Sequence, residues 1–264
     1  MFIAGEWVGS ESGATFEATS PSTGEVIGTL PGGTRGDVRR AVAAASDAFG
    51  KWSRLTAFDR GRAMRRVAEA IDGRRDDLAR TLALDQGKPL RAEAFDEVEE
   101  LIAYFEMAAA DAVRVEGLIP PSVTEGNRVL VYRVPRGVTG VISPWNWPYT
   151  MPGEIVAPAL ASGNAVVLAP APTTSVCAVA LAEVITEADL PPGLFSLVTG
   201  PGAVVGTRSP RTPASRPSAS SARSRPATAW PNVRRARSCC SRWAGTGRSW
   251  CSRTPTWTRP SRQR

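Results

Sequence analysis

The sequence predicts an α/β fold: an incomplete doubly wound parallel sheet with an N-terminal helical layer, followed by a tail without structure. Three observations predict it. Short apolar runs at residues 138–142, 164–168 and 194–199 are separated by stretches long enough for parallel crossover helices. Ahead of them, residues 35–115 carry apolar side chains at helical spacing. Behind them, after Gly206, the composition turns abruptly to Arg, Ser, Pro, Thr and Ala, which cannot bury enough apolar surface to order itself.

Residues 2–30 alternate short apolar stretches (Phe2, Ile3, Trp7, Val8, then Val26, Ile27) with Gly and Pro, which predicts an edge hairpin or extended arm covering a core edge. Over residues 35–52 the set Val38, Ala41, Val42, Ala45 and Phe49 follows helical spacing. Thr56 and Asp59 form a capping pair for a second helix, whose buried stripe runs Met64, Val67, Ala68, Ile71, Leu78 and Leu82 until Gly87 and Pro89 end it. A third helix over residues 91–115 places Ala94, Val98, Leu101, Ile102, Phe105, Ala108 and Ala109 on one face. Its acidic residues Glu93, Asp96, Glu97, Glu99 and Glu100 read as a solvated face and not as a metal site. Residues 128–134 alternate as a strand, either in an ordinary hairpin or as an exposed edge seeking a partner.

The strand at 138–142 stops at Pro144 and Pro148, which fix φ and remove two amide donors, so it ends in a stiff loop. Trp145, Asn146 and Trp147 lie between those prolines, at the carboxyl end of a strand, where open α/β sheets bind ligands. A short helix over 152–162, kinked by Pro158 and closed by Gly163, leads to the second strand. A clearer helix over 174–188 carries Val176, Val179, Ala180, Leu181, Val184 and Ile185. Cys177, within it, reads as a small buried hydrophobe and not as a nucleophile. The third strand runs into Gly200-Pro201-Gly202-Ala203-Val204-Val205-Gly206, where glycines let backbone approach a phosphate at a helix N-terminus.

Charge divides the chain at the same point. The net charge is 32 − 25 = +7, but residues 207–264 hold 14 Arg and no Lys, Asp or Glu, so residues 1–206 stand at 18 − 25 = −7. Two regions follow: an acidic body, 1–206, and a basic tail, 207–264. Cys239, Cys240 and Cys251 all fall in the tail, no metal-ligand spacing occurs, and the chain has no His, so no metal site is expected. The opening Met-Phe-Ile-Ala-Gly-Glu lacks a basic region or long apolar segment, and no apolar run approaches the ~18 residues that span a bilayer. The plain expectation is a cytoplasmic protein that does not engage a membrane.

Pro144-Trp145-Asn146-Trp147-Pro148, Gly163-Asn164-Ala165-Val166-Val167-Leu168, Pro191-Pro192-Gly193 and the glycine turn at 200–206 resemble the aldehyde dehydrogenase superfamily in identity, order and spacing. Asp85-Gln86-Gly87-Lys88-Pro89 and Pro21-Ser22-Thr23-Gly24-Glu25 are similar to that family as well. The resemblance implies a Rossmann-like dinucleotide-binding domain and oxidation of an aldehyde to an acid through a thiohemiacetal, with NAD or NADP as hydride acceptor. It makes Asn146 the oxyanion donor, although on residues alone the amide serves equally well as a cap for loop backbone. It places Ile142, Ser143, Pro144, Trp145, Asn146, Ala169, Gly202 and Gly206 along the dinucleotide. It also implies that strands near 122–137, 128–134 among them, belong to an oligomerisation element. At Ala169 and Pro172 the chain departs from the family's usual Lys and Glu, so ribose anchoring is weakened and the choice between NAD and NADP is open. The family's nucleophilic Cys, general-base Glu and aldehyde-binding domain follow the glycine turn. None of them has a counterpart in 207–264, which implies a truncated, inactive chain.

Three readings of the tail compete: a basic segment binding nucleic acid through Arg with Trp230, Trp243, Trp250 and Trp257, a solvated linker, and a shifted reading frame. The third is favoured by the genetic code. Codons built from the third base of one residue and the first two of the next turn Gly206 through Ser215 into a permitted Asp-Ala-Leu-Ala-Ala-His-Pro-Gly-Val. Ser238 through Arg248 likewise permits Leu-Leu-Leu-Glu-Met-Gly-Gly-Asn-Gly-Pro, which is similar to the family segment carrying the general base.

Overall fold

The computed structural model describes residues 1–206 and 215–216. The expectations for Trp230, Trp243, Trp250, Trp257, Cys239, Cys240 and Cys251 fall outside them. Two hairpins open the chain, β1 (Phe2–Ile3) with β2 (Glu6–Trp7) and β3 (Thr15–Thr19) with β4 (Val26–Pro31). Helices α1 (Arg35–Trp52), α2 (Ala57–Gly73), α3 (Arg75–Gln86) and α4 (Phe95–Asp111) follow. Thr34 and Thr56 cap α1 and α2 through their side chains, satisfying amides that a helix start leaves open.

The expected second helix is two. At Arg74 the backbone leaves helical geometry (φ −111°, ψ 17°), just after Gly73, and the Arg74 side chain ties the corner to Asp77 and Glu187. Apolar spacing carries through this corner, so periodicity hides it. A π-helical turn, Leu90–Ala94, leads into α4.

The sheet then builds from β5 (Val138–Ile142), α5 (Thr150–Ala161), β6 (Ala165–Ala169), α6 (Ser175–Glu187) and β7 (Phe195–Leu197), ending at the four-residue α7 (Gly202–Val205). β5, β6 and β7 are parallel neighbours joined through α5 and α6, the crossover that parallel pairing demands. β6 is buried along its whole length, as expected for a central strand covered on both faces. α1 packs on β5, β6 and β7, while α2 packs against α5 and α6 and α4 against α5. Trp52 at the end of α1 donates its indole Nε1 to the Leu160 carbonyl at 2.9 Å, locking that helix to α5. β1 adds antiparallel to β7, so the N-terminal hairpin extends the sheet.

On the other side of the sheet, β8 (Ser215–Arg216) pairs in parallel with Val138 and Thr139. The expectation of a structureless tail is corrected at these two residues. An open strand edge offers amides and carbonyls that any extended backbone satisfies, whatever its side chains. The expected strand at 128–134 is also corrected. There Leu118 and Val131 exchange two backbone hydrogen bonds, 3.0 and 2.8 Å, as a single antiparallel bridge. Leu118, Ile119, Leu130, Tyr132 and Val134 around it are exposed, and a ladder has no neighbour here on which to propagate. Among the described residues no helix is long and apolar enough to cross a membrane.

Candidate functional site

The carboxyl ends of β5, β6 and β7 form one rim. Ile142 lies opposite Ala169, the Ser143 amide donates to the Ala169 carbonyl at 3.3 Å, and Val198 donates to Leu168 at 2.9 Å. From this rim the chain runs out through Pro144 into Trp145, 61% exposed, and on to exposed Asn146 and Trp147 before Pro148 and Tyr149 turn back into the core. Ser143 and Ala169 are buried at its base.

The glycine turn closes the other side. A Cβ built on Gly206 would stand 2.6 Å from the Gly202 carbonyl oxygen and 3.5 Å from Ile142 Cδ1. The first is a clash within the turn itself, which glycine avoids; the second is ordinary van der Waals contact and makes the turn and the β5 end neighbours. Gly202 itself is open, with no side chain or distant backbone atom of the described residues within 4 Å of such a Cβ. A strand rim and a backbone turn facing one another, with open backbone between, fit an elongated dinucleotide. Ala169, at the end of β6 opposite Ile142, offers no side-chain hydrogen bond to a ligand there.

The loop is held from behind by the turn after α3. Gly87 ends that helix in the left-handed region, φ +79°, which favours glycine. On one side of it Gln86 Nε2 donates to the Trp145 and Asn146 carbonyls, at 3.0 and 2.8 Å. On the other, Lys88 Nζ sits 3.6 Å from the Trp147 ring centroid and 2.6 Å from Glu97 Oε2. Glu97, its side chain 0% exposed, accepts from the Tyr149 and Thr150 amides through Oε1 at 2.8 and 3.2 Å, capping α5 with a charge favourable to that helix end. The expectation that Glu97 belongs to a solvated face is therefore corrected. It sits at i+3 from Ala94 and i−4 from Leu101, inside the buried stripe, and that spacing was the available signal.

Asp85, before Gln86, accepts from the Cys177 amide at 2.8 Å and so anchors α6. Burial pushes the Asp85 carboxyl above the usual carboxylate range, against the lowering effect of that amide. Cys177 is fully buried, and burial, with the Asp85 charge beside it, pushes its thiol well above the ordinary value. Such a thiol is a poor nucleophile.

The fold and rim define an α/β domain with a Rossmann-like, mostly parallel sheet, in which a tryptophan-flanked amide stands at the strand ends. A sequence model of the aldehyde dehydrogenase family matches residues 7–215, and the chain belongs to that family. It is 42% identical over 205 residues to the glutarate-semialdehyde dehydrogenase of Pseudomonas putida, covering 78% of this chain and 42% of that protein. The crystal structure of an Escherichia coli NADP-dependent enzyme matches with a TM-score of 0.75 at 38% identity, over 78% of this chain and 42% of that one. A Staphylococcus aureus betaine aldehyde dehydrogenase in complex with NAD+ matches with a TM-score of 0.74 at 35% identity, with the same coverage. The chain thus spans about two-fifths of the length of these relatives.

Proposed function

We propose that residues 1–206 are the dinucleotide-binding part of an NAD(P)-dependent aldehyde dehydrogenase, a class that oxidises aldehydes to carboxylic acids. The observation that supports this is the nearness of the glycine turn at Gly206 to Ile142, at the strand end from which Ser143, Pro144, Trp145 and Asn146 continue outward. When bound, the nicotinamide supplies the hydride acceptor. The chain's own residues do the rest. Ile142 and Trp145 offer apolar surface to the cofactor, while Gly202 and Gly206 leave backbone clear for its phosphates. Asn146 presents its side-chain NH₂ to an oxygen that gains negative charge, a donor whose loss costs ~3 kcal/mol of barrier in comparable sites.

In this reading Ala169 weakens ribose binding and leaves the choice between NAD and NADP open. Cys177 takes no part as nucleophile, and the residues matching the family's Cys and Glu are not among 1–206, so this chain alone does not turn over. The abrupt change after Gly206 comes from a shifted reading frame, supported by the two family-like segments which the alternate codons permit. The exposed apolar segment around the Leu118–Val131 bridge serves assembly with a second copy of the chain.

Calorimetric titration with NAD and with NADP tests the cofactor reading. Heat of binding is expected with either, and none at millimolar cofactor would sink it. The nucleotide sequence around codon 206 tests the frame, where early stops in the alternate frame would overturn the account.

A further inference from the structure

We propose that Gln86 is a positioning residue for the Asn146 loop: by donating one amide NH₂ to two successive carbonyls, it fixes the direction in which the Asn146 side chain and the Trp145 ring face the crevice. The proposal rests on the reading of Asn146 as a donor toward the reacting oxygen. Two consecutive carbonyls, those of Trp145 and Asn146, converge on Gln86 Nε2 at 3.0 and 2.8 Å. Two acceptors on one nitrogen can be satisfied only by the NH₂ end, so the amide's orientation is settled. Pinning both carbonyls fixes the two peptide planes that meet at the Asn146 Cα and, through them, the start of the Asn146 side chain.

The arrangement is poor for stability alone, because the other end of the amide, Oε1, is buried without a hydrogen-bond partner among the described residues. The amide is placed for its donor end. Its mounting is rigid, since Gln86 is the last residue of α3 and its neighbours Asp85 and Lys88 are fixed by Cys177 and Glu97.

Gln86→Glu keeps the size of the side chain and replaces the donor with oxygen. At pH 8 its carboxylate faces two carbonyl oxygens and repels them. Such a setting holds a carboxyl protonated above the usual carboxylate range, so at pH 5 it regains one donor. Charged groups on the same brace are Asp85, Lys88 and Glu97, and wild type measured at both pH values removes their contribution.

The experiment reads the Asn146 side-chain NH₂ signals in protein labelled at its four Asn (127, 146, 164, 232), assigned with Asn146→Ser, beside calorimetric titration of NAD and NADP. In Gln86→Glu at pH 8 the Asn146 pair is expected to shift or broaden while the Asn164 pair stays, and to return at pH 5. Cofactor affinity falls about tenfold at pH 8 and recovers in acid, the size expected for lost loop hydrogen bonds. An Asn146 pair unmoved at pH 8 overturns the proposal. Wild type that binds neither cofactor sinks the dinucleotide reading instead, and the Asn146 signal still decides the role of Gln86. Should Gln86→Glu fail to fold, Gln86→Met must move the Asn146 pair at both pH values, and an unmoved pair overturns the proposal.

Discussion

Two stretches of this molecule expose large apolar side chains on irregular backbone, and they are held in opposite ways. The loop at residues 143–149 is gripped by Gln86, Lys88 and Glu97, so Trp145 is exposed on a backbone tied at several points. The segment at 115–134 carries Tyr132, 76% exposed, and Val134 on a backbone joined across by the bridge of Leu118 and Val131 and by Arg133 Nε donating to the Glu116 carbonyl at 3.1 Å. Exposure therefore means different things. A braced aromatic is a shelf of fixed shape, suited to a small flat ligand. An unbraced apolar segment completes its hydrogen bonds and burial only against more protein.

The sharpest way to break the comparison is to remove the brace. Glu97→Ala leaves Lys88 without its buried partner and two α5 amides uncapped, and is expected to cost about 3–5 kcal/mol in denaturant unfolding. A loss below ~1 kcal/mol would mean that the loop holds itself. Next comes the root of the apolar segment, where Asn164 Oδ1 accepts from the Arg136 and Gly137 amides at 2.6 and 3.1 Å. Asn164→Ala strands both donors and should cost about 2 kcal/mol by the same measurement, showing that this segment is fixed at its base and free at its tip.

An intermediate case is the segment at residues 10–14, tied to α1 by Asp37, which accepts from the Ser10 hydroxyl and the Glu11 amide. Burial opposes ionisation of Asp37, but bonds from the Thr34 amide, Arg40, Ser10 and Glu11 outweigh it and bring its pKa from an ordinary 3.8 to about 2. A depressed acid contributes stability above its unfolded value. That contribution is present above pH ~4 and lost as pH falls toward about 2. Asp37→Asn should remove this step in acid unfolding and cost about 1.5 kcal/mol at neutral pH. The smallest effect on stability belongs to the tip. Tyr132→Ser with Val134→Ser should change unfolding by less than ~0.5 kcal/mol, yet reduce the mass seen by light scattering if the segment joins copies of the chain. An unchanged mass would remove assembly from its reading.

Much of this was legible in the residues. The apolar runs bounded by Gly and Pro located β5, β6 and β7 to within a residue or two, because a buried parallel strand must be apolar on both faces. The end of β5 and the loop after it followed from Pro144 and Pro148, which no strand interior tolerates. What stayed hidden was the brace. Gln86 and Trp145 are 59 residues apart, and nothing local to either announces a hydrogen bond across that distance. Glu97 looked solvated because it sits among acidic neighbours that are, Glu99 for one being exposed. The break at Arg74 and the lone bridge at Leu118 and Val131 depend on which neighbours the fold supplies, and periodicity carries no such information.

The ammonium of Lys88 poised over the indole of Trp147 gives the protein a built-in optical gauge. A positive charge held against a ring tunes the colour of its emission, so any occupant that lifts the loop from its lysine will announce itself in the light of Trp147 without an added dye.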